Sequence, residues 1–390
     1  MNIFFIGQII PTKLINKEYE KLHKLCNNAA NVFYNALLTG LTQNGCKVSA
    51  ISTVTSDTVI GSIDCPYNCI YNVSDLGIVK HIKLALKTYT QLSKWYKRNQ
   101  GEKSVIFNCL RAVQACTGLV FCKFHRIKSI AVVTDVPGYR TVKRENMTFS
   151  ARCIDSFVRY MLSKYDGYIL LSEEMKNILP IGEKKYIVLE GICTDKSPYE
   201  PMKKNDTFTI MYAGSLMRKY NIMGLVEAVI NLNRNDVVLK LFGNGELESE
   251  LEEITDKYSC IRYCGSVSNE VCIEEQKKAH LLVNPRFSSE EYTKYSFPSK
   301  NIEYMKSGTP VLYTKLPSMP KEYYGYINII EDETAKGIES ALKKILETNY
   351  KELTDKAEKA KEFVETKKSA TVQAARVMDL IDCIGDIKFE

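Results

Sequence analysis

Short apolar runs alternate with amphipathic segments along the first half of the chain. The runs have the length of buried β-strands, and they are Asn2–Gly7, Lys47–Ser52, Ser104–Asn108, Ser129–Thr134, Gly167–Leu171 and Lys185–Leu189. Helical periodicity lies between them, over Asn28–Asn44, Leu76–Gly101 and Ser150–Lys164. In the first of these helices the predicted buried stripe is formed by Val32, Ala36, Leu37 and Leu41. This alternation is typical of a parallel sheet covered by helices on both faces.

The polar, proline-containing stretch Lys196–Asp206 interrupts the alternation and is interpreted as a linker. The pattern then restarts with predicted strands at Phe208–Ala213, Val237–Phe242, Ile261–Tyr263, Leu281–Asn284 and Pro310–Tyr313. Predicted helices follow at Met223–Leu232, Glu246–Tyr258, Asn269–Ala279, Lys300–Ser307, Thr334–Thr348, Lys351–Val364 and Ala370–Ile384. The sequence therefore predicts an α/β protein with two doubly wound, Rossmann-like domains facing a central crevice. Ligands of such sheets bind beyond the carboxyl ends of the strands.

Composition supports a globular chain that carries no resident metal. The 390 residues are 45% hydrophobic and 25% charged, and no apolar run is long enough to span a membrane. The N-terminus lacks the features of a signal peptide. Thirteen cysteines without regular spacing and four isolated histidines argue against a metal site and favour a reducing cytoplasm.

Charge is distributed unevenly along the chain. Residues 1–199 contain 26 Lys/Arg and 15 Asp/Glu, whereas residues 200–390 contain 27 and 31. The predicted helix over Leu76–Gly101 has no acidic residue and six basic ones, at Lys80, Lys83, Lys87, Lys94, Lys97 and Arg98. Its apolar residues recur every three or four positions, at Ile82, Leu86, Tyr89, Leu92 and Tyr96. Residues 80–98 are therefore either a contact for an anionic membrane or a solvated helix packed on its own core; nucleic acid is not expected as a partner.

Two loops that follow predicted strands in the second half contain glycines. In the first, Gly214 follows a strand and the cations Arg218 and Lys219 precede a helix, an arrangement that favours an anion. A simple strand-to-helix turn explains it equally well. In the second, Gly243 and Gly245 form a Gly-x-Gly without the third glycine of a dinucleotide fingerprint, so it predicts only a close approach of the backbone.

The stretch from Tyr295 to Leu312 is the most specific motif. Pro298 stands at a predicted helix start, Ser299 is a candidate cap, and Gly308 ends the helix. Glu303 lies one turn inside this helix. A diphosphate on the amides of residues 297–300 beside Lys300 would leave the Glu303 carboxylate to accept ribose hydroxyls; the alternative is a solvated or ion-paired glutamate.

The order of motifs resembles a known family. GSLMRKYNIMGLVEAV, LFGNGELESEL, CGSVSNE, LLVNP and SFPSKNIEYMKSGTPVL resemble the donor half of family-4 retaining glycosyltransferases of GT-B architecture. NVFYNALLTGLTQNGCKVSAIS and YDGYILLSEEMKNIL look like parts of that family's acceptor domain. The resemblance spans roughly residues 1–385 and implies domains at 1–198 and 205–368, with 369–390 as a helix crossing back to the first domain.

The resemblance also implies residue roles. Glu303 matches the second glutamate of the family's paired motif, while Tyr295 occupies the position of the first. Ser215 stands where the family usually has an arginine, and Asp135 lies roughly where it has an active-site polar residue, although a structural Asp-x-Pro turn explains Asp135 equally well. The candidate catalytic residues are Asp135, Lys219 and Glu303. The candidate donor-binding residues are Gly214, Ser215, Arg218, Lys219, Gly243, Gly245, Val267, Tyr295, Ser296, Phe297, Pro298, Ser299, Lys300 and Glu303.

We therefore expect a cytoplasmic glycosyltransferase, either free or associated with the inner face of the membrane, acting in bacterial surface-polysaccharide assembly. The donor is expected to be a nucleotide-diphosphate sugar, UDP-linked rather than GDP-linked, and the acceptor a glycan or a lipid-linked glycan. Retention of configuration is implied by the resemblance. No cofactor or metal is expected, since the chain has no Asp-x-Asp motif. Two alternatives stay open: an epimerase or hydrolase on the same fold, and a catalytically silent partner subunit, which Tyr295 favours.

Overall fold

The computed structural model describes residues 1–10, 29–54, 70–72, 77–109, 112–136, 148–194 and 202–385. The chain divides into two compact units. Unit 1 consists of Met1–Thr194 together with Ser369–Glu390, and unit 2 consists of Asp195–Lys368. Of the predicted linker, only residues 202–206 lie within the described ranges.

Unit 1 is built on a parallel sheet of seven strands. They are β1 (Asn2–Gly7), β2 (Lys47–Val54), β3 (Ile70–Asn72), β4 (Lys103–Asn108), β5 (Lys128–Val133), β6 (Gly167–Leu170) and β7 (Lys185–Val188). Their order is β3-β2-β1-β4-β5-β6-β7, with Phe5 of β1 opposite Ala50 and Ile106 of the neighbouring strands. The six longer strands were predicted from their apolar runs, whereas the three-residue β3 was not.

Five described helices belong to unit 1. They are α1 (Ala29–Gln43), α2 (Gly77–Arg98), α3 (Ala112–His125), α4 (Phe149–Leu162) and α11 (Ala370–Cys383). Helix α11 packs on α1, where a side chain at Gly40 would place its Cβ 2.0 Å from the Ala370 carbonyl oxygen. The last helix of the chain therefore completes the core of unit 1.

Two predicted buried stripes in unit 1 need correction. In α1, Ala36, Leu37 and Leu41 are buried as expected, but Val32 is 47% exposed because Phe33 and Tyr34 turn toward the sheet instead. Helix α2 buries Thr88, Leu92 and Trp95, which recur every three or four residues on one face. The predicted stripe lies partly on another face, since Ile82, Leu86 and Tyr89 are exposed. Within the described residues, no helix is both long and apolar enough to cross a membrane.

Unit 2 contains a parallel sheet of six strands. They are β8 (Phe208–Ala213), β9 (Val237–Phe242), β10 (Ile261–Tyr263), β11 (Leu281–Asn284), β12 (Val311–Thr314) and β13 (Asn328–Ile330). The order is β10-β9-β8-β11-β12-β13. From β8 the chain adds β9 and β10 on one side of the sheet, and then β11, β12 and β13 on the other side. The topological switch point of this sheet therefore lies between β8 and β11.

Six described helices belong to unit 2. They are α5 (Ile222–Asn231), α6 (Glu248–Lys257), α7 (Asn269–Lys278), α8 (Ser299–Lys306), α9 (Ala335–Glu347) and α10 (Tyr350–Lys367). The prediction that Ser299 caps α8 is wrong, because Ser299 is already the first helical residue and Pro298 precedes it without a side-chain capping bond. Gly308, with φ of 68°, follows the last turn of α8, as predicted.

Candidate functional site

Several candidate residues of unit 2 lie on the loops that follow β8 and β11, the two strands at the switch point of its sheet. The loop after β8 leads through a 3₁₀ turn at Arg218–Tyr220 into α5, and the loop after β11 leads through a second one at Glu291–Lys294 into α8. Tyr292 connects the two loops, since its hydroxyl donates a hydrogen bond to the Lys219 carbonyl oxygen at 3.3 Å. The carboxyl ends of two neighbouring strands thus bring these loops to one edge.

Gly243 and Gly245 lie close to the backbone of the loop after β8. The Gly214 N–H donates to the Phe242 carbonyl oxygen at 2.9 Å, and the Leu216 N–H donates to that of Asn244 at 2.9 Å. A Cβ at Gly243, whose φ is 131°, would lie 1.8 Å from the Gly214 carbonyl oxygen. One at Gly245 would lie 2.4 Å from that of Leu216. The sequence predicted that the backbone at this Gly-x-Gly comes close to another group. That group is the backbone of residues 214–216.

The two cations of the loop after β8 have different surroundings. Arg218 forms an ion pair with Glu250 of α6, and its backbone N–H donates to Glu246 at 2.7 Å. The Lys219 ammonium instead lies 5.4 Å from the ring centroids of both Tyr220 and Tyr292. Lys219 has no carboxylate within ion-pair distance in the described part of the chain. Its positive charge is therefore available to an anionic ligand.

The segment before α8 is held by a buried ring and a hydrogen bond to its backbone. Phe297 is buried, with its ring 5.4 Å from that of Tyr323, and Pro298 is buried beside it. The Ser296 carbonyl oxygen accepts a hydrogen bond from the Ser318 hydroxyl at 3.0 Å. The first N–H groups of an α-helix have no acceptor inside the helix, so those of Ser299 and Lys300 are directed out of its N-terminus.

Glu303 is held in place by two donors. Its Oε1 accepts a hydrogen bond from Gln276 Nε2 at 2.6 Å and one from Lys300 Nζ at 2.7 Å. Burial acts against a charged lysine, but the Glu303 carboxylate holds the pKa of Lys300 above its ordinary value. Glu303 Oε2 has no hydrogen-bond partner among the described residues. Lys300 is thus an ion-pair partner of Glu303, and one carboxylate oxygen stays available to a ligand.

Helix α8 is fixed to the end of β8 by a buried tyrosine. The Tyr304 hydroxyl accepts a hydrogen bond from the Ala213 N–H at 2.6 Å and donates one to the Ala213 carbonyl oxygen at 3.0 Å. Burial raises the pKa of Tyr304 well above its usual value, so the hydroxyl stays protonated. The Tyr313 hydroxyl donates to the Asn301 carbonyl oxygen at 3.0 Å. These contacts fix the N-terminus of α8 relative to the loop after β8.

The other predicted site residues lie elsewhere or make fewer contacts. Tyr295 is half-buried and ends the 3₁₀ turn before α8, and Ser215 is exposed. Val267 is half-buried before α7, whose N-cap Ser268 accepts a hydrogen bond from the Val271 N–H at 3.3 Å. Asp135 belongs to unit 1, just after β5. It lies near Cys109, whose pKa is raised to about 12 by burial and further by this carboxylate.

Sequence reasoning missed four residues of this region, namely Tyr220, Gln276, Arg286 and Tyr292. Arg286 follows β11 by two residues, so the rule that loops after strands carry chemistry would have found it. Gln276 gave no signal, because its contact with Glu303 joins two helices 27 residues apart. In the described ranges no three His, Cys, Asp or Glu side chains are grouped as a metal ion would require.

Comparisons with known proteins agree on the fold, and one family model matches part of the chain. Residues 195–367 match the family model of glycosyl transferases group 1. No curated protein sequence matches the chain. Sucrose-phosphate synthase from Thermosynechococcus elongatus has a similar structure, with a TM-score of 0.68 at 12% identity, covering 99% of this chain and 100% of that one.

Two further solved structures resemble the chain over nearly its whole length. HepE from Anabaena in complex with UDP gives a TM-score of 0.65 at 10% identity, covering 98% of this chain and 100% of that one. The lipopolysaccharide outer core galactosyltransferase WaaB gives 0.62 at 11% identity, covering 98% and 99%. At these identities the likeness establishes the fold, and the chain has the α/β GT-B fold predicted from its sequence.

Proposed function

We propose that the chain is a glycosyltransferase that moves a sugar from a nucleotide-diphosphate donor to a glycan or lipid-linked acceptor, with retention of configuration and without a metal. The observation that carries the proposal is the Glu303 carboxylate. Gln276 and Lys300 fix one of its oxygens, and the other has no hydrogen-bond partner among the described residues. The match of residues 195–367 to glycosyl transferases group 1 supports the same activity.

The donor proposed is a UDP-sugar. HepE, one of the similar structures, has been solved with UDP and with UDP-glucose, which supports uridine over guanosine. The ribose hydroxyls would donate to Glu303 Oε2, and the residues around Val267 would border the base. A hydrogen bond to a charged group contributes about 1.5–3 kcal/mol, so a diol on this carboxylate accounts for a large part of nucleotide affinity.

In the proposed reaction this site must stabilise the diphosphate as a leaving group. When the bond between sugar and diphosphate breaks, negative charge builds up on the diphosphate oxygens. Preplaced donors that meet this charge lower the barrier without reorganising. The N–H groups at the start of α8 and the ammonium of Lys219 supply such donors. Tyr295 has no carboxylate to offer the sugar, so contacts to the sugar must come from other groups.

Asp135 of unit 1 is the proposed catalytic polar residue. It follows the carboxyl end of β5, which is where ligands of a parallel sheet are bound. We expect Asp135→Asn to lower kcat while leaving the UDP dissociation constant unchanged. An unchanged kcat would remove Asp135 from the reaction and leave it as a turn residue.

A screen of donors tests the proposed activity. UDP-, GDP- and ADP-sugars are compared by thermal shift, because a ligand at 100 times its dissociation constant stabilises a protein by about 2.7 kcal/mol. Sugar release is then measured with and without acceptor glycans. Donor consumption that requires an acceptor supports a transferase. Consumption of donor alone identifies a hydrolase or epimerase, and the absence of any nucleotide binding identifies a silent subunit.

We also propose that α2 contacts an anionic membrane at which a lipid-linked acceptor is held. Ile82, Leu86 and Tyr89 are exposed on this helix, and residues 80–98 carry six cations and no acidic residue. Exposed apolar side chains among cations suit an anionic bilayer surface, where each nearby cation contributes about 1 kcal/mol. The ten described cysteines are free thiols, which supports a cytoplasmic location for this contact.

Sedimentation with vesicles tests the contact. Vesicles containing anionic lipid should retain the protein, and neutral vesicles should not. We expect Ile82→Ser with Leu86→Ser, and separately Lys83→Glu with Lys87→Glu and Lys94→Glu, to abolish retention. Val372→Ser on α11, a partly exposed apolar residue away from α2, is the matched control. If neither set of substitutions reduces the amount of protein that sediments with anionic vesicles, the proposal is contradicted.

A further inference from the structure

The cations that the sequence places around the donor site are mostly neutralised by carboxylates. Arg218 forms an ion pair with Glu250, and Lys300 forms one with Glu303 at 2.7 Å. Lys219 is the remaining predicted cation, and it is exposed. A diphosphate carries more than one negative charge, so a single exposed ammonium leaves the site short of positive charge.

Arg286 is a further cation in the same region. It follows β11 and is half-buried, with the guanidinium carbon 4.2 Å from the ring centroid of Tyr220. Its Nε atom is buried and has no hydrogen-bond partner. Within the described ranges no carboxylate lies within ion-pair distance of Arg286. Glu333, which approaches this loop, accepts the Ser288 N–H with both oxygens instead.

Arg286 and Lys219 share an aromatic neighbour. Both cations lie against Tyr220, and Lys219 also lies 5.4 Å from the Tyr292 ring. Burial raises the pKa of Tyr292 to about 12, so this phenol stays protonated and gives the cations no counter-charge. Two positive charges held around one ring repel each other. The buried Nε–H of Arg286 is also left without an acceptor, which is unfavourable for a buried donor. Such an arrangement is relieved by an anionic ligand.

We propose that Arg286 binds the diphosphate of the nucleotide-sugar donor, together with Lys219, in place of the arginine that would follow Gly214. The planar guanidinium matches the oxygens of a phosphate group in a two-pronged contact. The Tyr220 ring holds the guanidinium by stacking, so that no carboxylate among the described residues competes with the diphosphate for its N–H groups. Ser215, at the usual arginine position, supplies no positive charge. Arg286, which follows the neighbouring strand β11, supplies that charge instead. This inference rests on the proposed function, since it assigns a residue to the same donor.

Calorimetric titration with UDP, and titration with uridine followed by ligand NMR, test the assignment. We expect Arg286→Gln to weaken UDP binding by about ten- to hundred-fold, the effect of losing a charged hydrogen bond. Uridine lacks the diphosphate, so its affinity should not change. Arg286→Lys should restore part of the UDP affinity by restoring the charge. Arg234→Gln is the matched control, because Arg234 is paired with Asp236 in the connection that leads into the amino end of β9.

The outcomes separate this inference from the proposed function. If the wild-type protein binds neither UDP nor another nucleoside diphosphate, both are overturned. If the wild type binds UDP and Arg286→Gln binds it equally well, only the role of Arg286 is overturned. Equal losses of UDP and uridine affinity would also overturn it, because they would show that Arg286 acts only by supporting the fold. Should Arg286→Gln fail to fold, UDP affinity of Arg286→Lys equal to the wild type would contradict a two-pronged contact.

Discussion

Glu303 combines two tasks in a single side chain. One of its oxygens is fixed between Gln276 and Lys300, at 2.6 Å and 2.7 Å. The Glu303 side chain loses its conformational entropy during folding. Binding of a ligand to the second oxygen therefore requires no further ordering of this side chain. The ion pair also removes the Lys300 charge from the site. A fixed carboxylate with a free oxygen is suited to a neutral diol, whereas phosphate oxygens are repelled by it.

We predict that Glu303→Ala weakens UDP binding by about 1.5–3 kcal/mol, the contribution of hydrogen bonds to a charged acceptor. Calorimetry measures the change directly. Glu352→Ala, at an exposed position of α10, should leave the affinity unchanged. Unaltered UDP binding by Glu303→Ala would remove this residue from the donor site.

Cys109 makes the stability of the protein sensitive to alkaline pH. Its pKa is raised to about 12 by burial, whereas an unfolded thiol ionises near 8.5. Between these values the unfolded chain loses a proton that the folded chain keeps, so the free energy of unfolding falls as pH rises. Stability from this group is complete below about pH 8.5.

We predict that the wild type loses stability faster than Cys109→Ala between pH 8.5 and 10.5, by about 1.4 kcal/mol per pH unit. Urea unfolding at several pH values gives the slopes. Cys153→Ala, at an exposed cysteine, should keep the wild-type slope. Parallel slopes for the wild type and Cys109→Ala would show that the thiol ionises in the folded protein.

At the scale of elements, the site depends on how loops and one helix end lie against each other. The loop after β9 fits against the loop after β8 only because Gly243 and Gly245 lack side chains. Tyr304 ties α8 to the last residue of β8 through two hydrogen bonds. The N-terminus of α8 is therefore positioned by packing rather than by any contact with a ligand.

We predict that Gly243→Ala lowers the free energy of unfolding by about 2–6 kcal/mol, the sum of backbone strain at φ of 131° and overpacking against the Gly214 carbonyl oxygen. Chemical denaturation measures the loss. Gly325→Ala is the control, because nothing lies within 4 Å of a Cβ there. A loss similar to that of the control would mean that the loop after β8 moves aside at little cost.

Most elements were predictable from periodicity, and most contacts of the site were not. Long apolar runs such as Val237–Phe242 are strands as predicted, and so is the three-residue β10, whereas the equally short β3 and β13 were not predicted. The likeness to a family indicated Glu303 as a candidate from sequence. The pairing of Arg218 with Glu250 joins positions 32 residues apart and depends on how α6 packs, which no local pattern contains.

The whole molecule consists of two units whose sequence ranges are interleaved. Unit 1 takes its last helix from the end of the chain, after unit 2 has been completed. Ala374, Val377 and Ile381 of that helix are fully buried in the core of unit 1. The Arg376 guanidinium donates to the Val188 carbonyl oxygen at 2.9 Å, at the end of β7. The first unit is therefore complete only when the last part of the chain has folded onto it.

We predict that Val377→Asp destabilises unit 1 by more than about 3 kcal/mol, since it buries an unpaired charge in its core. Val372→Asp, on the same helix but 37% exposed, should cost less than about 1 kcal/mol. Thermal unfolding measures both changes. UDP binding should survive in the folded fraction of Val377→Asp, because the proposed nucleotide contacts lie in unit 2. Equal effects of the two substitutions would contradict the packing of α11.

Hydrogen exchange measured by mass spectrometry, with and without UDP, tests the central claim most directly. The account predicts slower exchange in peptides covering Gly214–Tyr220 and Ser296–Glu303, where backbone N–H groups meet the nucleotide, and little change in β9 and α10. Slowing confined to unit 1, or none at UDP concentrations that saturate binding, would contradict a nucleotide site at the switch point between β8 and β11.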